Sequence, residues 1–582
     1  MVPRLAVSER SIRDLPAEGR RARPDPVPFV LLGFLVLAAA ITWPWLIHPG
    51  STLVGPLGGD VSTSIVKWET LARTGTFPFT NGTTTAIDWP SGLATTPGLD
   101  LASVLSALPL WLGSLAFGAV ATHGLEAVLG YLLTATVTFL FVRRVTRSTG
   151  AGLVAGVAYG FFPQMRLVVF AATTYSHMWL FILPLWGFWN LTQVPTRRSA
   201  RLAGLTLLPA VFWTPYFALH AGVISVSCMI ALAVLAPRVG VRRGLLGQVL
   251  LVWLPIAAVY VAIGLATSFH DVPSRAAADA YSQSAHPLMF VWPGFSSIWG
   301  TSVDSKLVEL VPRASAANLY LGVSVLLLGC IGVVDQVRRR ASWRVEGSPL
   351  LSPVTAATLL ALAAVAGCFL CSLPPHVLGG RIPMPDALIS AVVPALRAGQ
   401  RFVMPLMAGV SVLAGLGAYA LLRRTPPALR APLAIGLAAI VVLDLWAHPP
   451  GANQVAPTPT PAIHALARAP DAPAVEINAR GVYGGLPQRA CFMQWTHNKP
   501  LFNNCGFGTP PPAQYALASM PMCPFLNTLH ARGLRYVIVD LPSPPNVSEC
   551  FAPGRPLAAS TVLASDGSVR VWQLPGAGAR HS

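Results

Sequence analysis

Long uninterrupted apolar runs separated by short polar connectors fill most of this 582-residue chain. The clearest runs cover 27–47, 125–142, 152–162, 177–191, 202–217, 219–235, 245–266, 319–334, 353–370, 402–422 and 431–446. A helix needs about 20 apolar residues to cross ~30 Å of hydrocarbon. The runs are continuous rather than alternating, which predicts spanning helices and not barrel strands. A further stretch, 101–120, is apolar but broken by Pro109. After Trp446 the pattern changes. "AHPPGANQVAPTPTP" reads as a proline-rich linker, placed at 448–460. Beyond it, "AVEINA" and "RYVIVDL" read as buried strands and "SVRVWQL" as an alternating one. "FLNTLHARGL" reads as a helix ended by Gly533. A small α/β domain is therefore expected over 461–582.

Charge decides the topology. The basic clusters are Arg143/Arg144/Arg147, Arg197/Arg198/Arg201, Arg238/Arg242/Arg243, Arg338/Arg339/Arg340 and Arg423/Arg424/Arg430. If 101–120 does not cross, all five share a side with the basic N-terminal segment 1–26. The positive-inside rule then favours about eleven crossings within 27–447, with 101–120 in the outer interface. The N-terminal tail is expected in the cytosol, with no cleaved signal. A first outer loop, 48–124, further outer segments at 163–176, 267–317 and 373–400, and the C-terminal domain all fall outside. The expectation is a multi-pass protein of the plasma (inner) membrane.

Composition agrees. Hydrophobic residues make up 53% and charged residues 11%, against roughly a quarter charged in soluble proteins. The net charge of +18 could suggest nucleic acid, but the basic residues lie in clusters between spans, so membrane lipids are the expected partner and nucleic acid is not. Cys491, Cys505, Cys523 and Cys550 all fall in the C-terminal domain, which suggests two disulfides with three possible pairings. Cys228, Cys330, Cys368 and Cys371 lie in or beside spans. The Cys368–Cys371 spacing has no redox context and reads as small apolar packing.

Candidate chemistry concentrates on the outer side. "LVGPLGGDVSTSIVKWETLARTG" carries Asp60 behind two glycines, either as a simple helix cap or as a general base facing a cavity. Lys67 and Glu69 read as solvated helix charges and Trp68 as an interface anchor. Arg166 and His177 flank a short outer loop; they either touch lipid headgroups or hold an anionic head group. Tyr216 and His220 in "PYFALHAG" read as a polar pair at a helix junction or as part of the same site. Arg397 and Arg401 sit at the outer end of a span, against the positive-inside bias, and suit either snorkelling or phosphate binding. There is no Walker loop, no G-x-G-x-x-G after a strand, no H-E-x-x-H and no dense acidic cluster. ATP-driven transport is therefore not expected, and no cofactor is called for; a divalent metal is possible but not indicated.

Several stretches together resemble the GT-C superfamily of membrane glycosyltransferases: "GGDVSTSIVKW", "AIDWPSGLATTPGLDL", "SHMWLFILPLW", "AYSQSAHPLMFVWPGFSSIWG" with "NLYLGVSVLLLG", and "AGQRFVMPLMAGVSVLAGLG". The resemblance covers most of the chain and is to an architecture more than to a fingerprint. It implies a sugar taken from a polyprenyl-phosphate-linked donor and passed to a cell-envelope glycan, lipid or protein. It makes Asp60 the base for the acceptor hydroxyl, with Arg401, Arg166 and His177 at the lipid phosphate. Some relatives carry an adjacent acidic pair where this loop has Asp60 alone; Asp88 or Asp100 could supply a second carboxylate if the loop folds back. Two other functions fit the same pattern. A transporter or flippase for lipid-linked sugars would need more polar residues at mid-membrane depth. A non-catalytic envelope scaffold would not need the candidate residues gathered in one place.

Overall fold

The computed structural model describes residues 26–55, 57, 60–94, 97–166, 173–239, 243–266, 283–293, 319–339, 351–377, 380–392, 399–446, 454–478, 487–503, 516–542 and 545–576. Among the described residues six helices are long and apolar enough to cross a membrane: Ala119–Thr146, Pro215–Leu235, Arg243–Ile263, Pro353–Ser372, Gly399–Leu422 and Pro427–Leu445. The chain is thus an α-helical membrane protein.

The other predicted runs form shorter helices. Run 27–47 is helical only over Val27–Ile41, because Pro44 disfavours helix at the residue before it and cannot continue one. Run 152–162 lies largely in Thr149–Gly160, capped by the Ser148 hydroxyl and closed ahead of Pro163. Run 177–191 opens as a tight turn, Met178–Phe181, before Ile182–Gln193. Run 202–217 is broken into the end of Arg197–Leu205, the short Leu208–Val211 and the start of Pro215–Val239. The stretch 101–120 contains Val104–Phe117, which stops at Gly118. Gly118 takes φ +79°, a left-handed conformation that lets a new helix start at Ala119 in another direction.

Gly399–Leu422 is the central helix, with most of its length buried by protein. It crosses Val323–Arg338 at Gly332 and Gly417, where a Cβ on Gly417 would meet the Leu328 carbonyl oxygen at 1.8 Å. Small residues allow this close approach of two backbones. At one end of the pair, buried Asp335 accepts from Arg423, from Arg424 at 3.0 Å and from Arg339 at 3.3 Å. One carboxylate therefore offsets three of the basic residues that the run-and-cluster pattern presents as bare connectors.

The C-terminal residues build a four-stranded mixed sheet in the order Ala474–Ile477, Tyr536–Asp540, Val569–Gln573, Thr561–Ser565; the first pair is parallel. Cys523 and Cys550 form a disulfide, and Cys491 is also disulfide-bonded, while Cys505 lies outside the described residues. This sheet does not hang on a free linker. Thr52 pairs with Val455, Leu53 N–H donates to Gln454 O at 2.8 Å, and Ala456 N–H donates to Ser51 O at 2.7 Å. The buried face of the loop helix Asp60–Arg73 (Val61, Ile65, Trp68 and Leu71) joins Ile463, Leu466, Tyr536 and Ile538 in one apolar core. The first loop and the C-terminal domain are one packed unit.

Candidate functional site

The segment Thr173–Phe181 is the hinge-pin of the site. It is tied to the long helix Ala119–Thr146 by four bonds: Thr173 Oγ1 to Glu126 Oε2 (2.7 Å), Ser176 Oγ to Glu126 O (3.3 Å), Thr134 Oγ1 to Ser176 O (3.0 Å) and Trp179 N–H to Thr134 Oγ1 (3.1 Å). Hydroxyl and small residues in "TTYSH" make this irregular turn possible, because their side chains satisfy backbone groups that no regular helix covers.

From this segment Tyr175 reaches Arg401, which donates from Nη1 to the tyrosine hydroxyl at 3.0 Å. The guanidinium also lies 4.4 Å from the Tyr216 ring centroid and 5.2 Å from that of Tyr175. Two aromatic rings thus flank the cation. Next to it, His220 is 1% exposed, packed against the rings of Phe402 (4.7 Å), Phe181 (5.7 Å) and Tyr216 (6.2 Å). Neither of its ring nitrogens has a hydrogen-bond partner among the described residues. A buried donor or acceptor left unmade costs roughly 1–3 kcal/mol, so this imidazole is out of place unless something else completes it.

His177 sits two residues from Tyr175. Trp179 Nε1 donates to its Nδ1 at 3.0 Å, and its ring lies 4.5 Å from that of Trp213. An indole can only donate, so the neutral imidazole carries its proton on Nε2. That nitrogen faces the Glu126 carbonyl without the geometry of a full hydrogen bond.

Arg166 is also buried, but its described surroundings are different: its guanidinium is 5.1 Å from the Trp446 ring and faces the electrostatic field of the Tyr131 hydroxyl. The structure therefore brings Arg401, Tyr216, His220 and, through Tyr175, His177 together, while the described neighbours of Arg166 are Trp446 and Tyr131. Arg397 lies outside the described residues. Asp60 is the first residue of the helix Asp60–Arg73, and its side chain lies outside the described set. One turn on, Ser64 Oγ bonds His123 Nε2 at 2.9 Å, and His123 Nδ1 donates to Ala119 O at 2.8 Å. The start of the loop helix is thereby fixed against the same helix that bears Glu126, one turn from His123.

Three readings of the loop helix need correction. Lys67 is not simply solvated: it pairs with buried Asp100 at 2.6 Å. Trp68 is 4% exposed and belongs to the apolar core, so it anchors the loop to the C-terminal domain rather than to a membrane surface. Glu69 is 9% exposed and accepts from Ala119 N–H at 2.8 Å and from Arg73 Nε at 2.7 Å. Asp100 is thereby occupied by Lys67. Asp88 is buried against the C-terminal domain, where Trp89 N–H donates to Leu501 O at 2.8 Å; burial pushes its carboxyl up to about 7. Among the described residues no group of three or more His, Cys, Asp and Glu could hold a metal ion. Glu126 escaped the sequence reading, although a lone acid inside the apolar run after residue 119 is itself a functional signal.

The fold and this site define a multi-span helical membrane protein with a cationic, aromatic-lined cluster at a helix junction and a folded C-terminal sheet docked on its first loop. Residues 30–446 match the family model of a domain of unknown function, DUF6311, and the chain belongs to that family. No curated protein matches it. Similar solved structures include ArnT from Cupriavidus metallidurans bound to undecaprenyl phosphate, at 13% identity and a TM-score of 0.47, covering 94% of this chain and 98% of that one. The Archaeoglobus fulgidus oligosaccharyltransferase in complex with Zn and sulfate is similar at 15% identity and a TM-score of 0.45, covering 88% and 68%. The arabinofuranosyltransferase AftD from Mycobacteria is similar at 15% identity and a TM-score of 0.49, covering 94% of this chain and 41% of that one.

Proposed function

We propose that this chain is a GT-C-type membrane glycosyltransferase that takes a sugar from a polyprenyl-phosphate donor and passes it to a cell-envelope acceptor on the extracytoplasmic face. One observation carries the reading: the buried His220 ring, with both nitrogens unsatisfied, stands beside a guanidinium held between Tyr175 and Tyr216. A phosphate supplies an acceptor for the imidazole N–H of His220 and a counter-charge for Arg401 at once. His177 Nε2 adds a further donor from the adjoining turn.

In the proposed reaction the acceptor hydroxyl attacks the anomeric carbon, the bond from that carbon to the donor phosphate oxygen breaks, and polyprenyl phosphate leaves. Asp60 takes the hydroxyl proton, a contribution of ~10²–10⁴-fold for general base catalysis. Arg401 and the histidines offset the negative charge that grows on the departing phosphate. Arg166, buried beside Trp446, is proposed as a further ligand of the lipid phosphate. The topology proposed with this reading counts the shorter apolar helices as crossings, about eleven in all. It places the basic connectors and N-terminus in the cytosol and the C-terminal sheet outside, and the clustering of arginine supports it.

The test is to compare envelope glycans and glycolipids from cells with the wild-type chain, a deletion, Asp60→Asn and Arg401→Gln. Both substitutions should reproduce the deletion at normal protein levels. Intact glycans in Asp60→Asn cells, where the deletion is defective, would remove the assignment of the base.

A further inference from the structure

A second concentration of cation and aromatic side chains lies at the other end of the helix Ala119–Thr146. Its last turn carries Arg143 and Arg144, and Arg147 follows as the C-cap in a left-handed conformation, φ +55°, with its N–H on Arg143 O at 2.7 Å. These three side chains line a cavity of about 650 Å³ together with Trp186, Trp189 and Gln193. No acidic residue lines it, and none occurs in the sequence between Glu126 and Asp271. The contrast within the molecule is direct: Arg339, Arg423 and Arg424 share Asp335, whereas Arg144 and Arg147 have no ion pair among the described residues. The exposed charge of Arg144 and Arg147 is thus available to an anion that enters the cavity.

The walls say what kind. Trp189 Nε1 is taken by Pro353 O at 2.9 Å, so its ring offers only apolar surface. Trp186 is shared with a neighbouring cavity of about 480 Å³ whose lining includes Leu183, Leu202 and Val194. Leu202 and Val194 are 53% and 56% exposed on the outside of the helix bundle. A cationic mouth thus adjoins, across the Trp186 indole, a second cavity with an apolar wall of Leu183, Val194 and Leu202 and a further cation, Arg198, on its lining. Tryptophan at head-group depth and arginine forks that match phosphate oxygens are the expected elements of such a site.

We propose that this cavity binds the phosphate of an anionic glycerophospholipid, with Arg144 and Arg147 on the head group and an acyl chain lying across Trp186. The site is independent of the transferase reading, since it shares no residue with it.

The experiment uses the purified full-length chain in neutral detergent. Thermal stability and lipid retention by native mass spectrometry are measured with cardiolipin, phosphatidylglycerol, phosphatidylcholine or inorganic phosphate added. The wild type should be stabilised by, and retain, the two anionic lipids and not phosphatidylcholine. Arg144→Gln/Arg147→Gln should lose that retention by about tenfold or more. Arg430→Gln, an exposed arginine of the same basic set, should keep it and so controls for loss of charge alone. Equal retention of phosphatidylcholine, or undiminished anionic retention in the double variant, would overturn the proposal. Stabilisation by millimolar inorganic phosphate that equals the lipid effect would reassign the cavity to a soluble phosphate. A double variant that fails to purify is replaced by Arg144→Lys/Arg147→Lys, which should lose retention partly and fails the proposal if it loses none.

Discussion

Glu69 gives the sharpest test of how the first loop, the membrane helices and the C-terminal domain are joined. Its Oε2 accepts the first backbone N–H of the long helix, at Ala119, and its Oε1 accepts from Arg73. Arg73 in turn donates to Trp495 O at 2.8 Å and lies 5.7 Å from the Trp495 ring. Glu69→Gln keeps an acceptor but loses the charge. A carboxylate at a helix N-terminus is worth about 0.3–1 kcal/mol, and the half-exposed Arg73 pair adds roughly 0.3–0.5 kcal/mol, so the loss is about 1 kcal/mol. Glu69→Ala also leaves the Ala119 N–H unpaired in a buried place, which costs about 1–3 kcal/mol more. Limited proteolysis reads this as the population of the locally opened form, because cleavage follows that population when opening is fast. The loss of about 1 kcal/mol in Glu69→Gln corresponds to roughly 5-fold faster cleavage, and the about 2–4 kcal/mol in Glu69→Ala to roughly 30-fold or more. Cleavage of Glu69→Ala at the wild-type rate would refute the reasoning, since it would mean that the buried carboxylate carries no share of the junction.

Other consequences are as direct. Gly417→Val places carbon against the Leu328 backbone, which cannot yield without parting the two helices; overpacking costs about 1–3 kcal/mol or more, and a lower thermal midpoint in detergent checks it, with Gly436→Val, where the added carbon meets nothing, as the control. Asp88 holds its proton in the folded state up to about pH 7, against an ordinary value of 3.8. Wild-type stability should therefore fall as pH rises between those two values and level off above, and Asp88→Asn should flatten the profile and be the more stable at pH 8; a wild-type midpoint that rises from pH 5 to pH 8 would oppose this. Cys523 and Cys550 close a separation of 27 residues, worth about 3 kcal/mol by loop entropy, so the double Ser variant should expose the C-terminal sheet to protease while the membrane helices keep their far-ultraviolet signal.

The long spans were legible because continuous apolar runs and arginine clusters are local signals, as at 125–142 and 402–422. The shorter helices show where that legibility ended. Runs 27–47 and 202–217 contain prolines whose effect depends on whether neighbouring segments continue or turn away. The candidate cations stand out as residue types that run against the orientation expected from the arginine clusters, Arg401 above all. Its anchor was not visible: Tyr175 lies 226 positions away in the chain, and only packing brings the two together. The same holds for the orphaned ring of His220, since an unmade bond is a property of surroundings. Lys67, Trp68 and Glu69 were misread because an amphipathic helix in a loop looks solvated until the element that covers it is known. Here the covering element is the C-terminal domain, whose supposed linker pairs with Thr52.

The cluster of Tyr175, Arg401 and His220 is tested most directly by binding of undecaprenyl phosphate to the purified chain, followed by native mass spectrometry. The wild type should hold one lipid phosphate there. Arg401→Gln and His220→Ala should weaken it about tenfold or more, since hydrogen bonds to charged groups are worth roughly 1.5–3 kcal/mol. Arg144→Gln/Arg147→Gln, at the far end of the long helix, should bind as the wild type does. Binding by Arg401→Gln and His220→Ala at wild-type affinity, or no binding by the wild type, would contradict a lipid-phosphate site in this cluster.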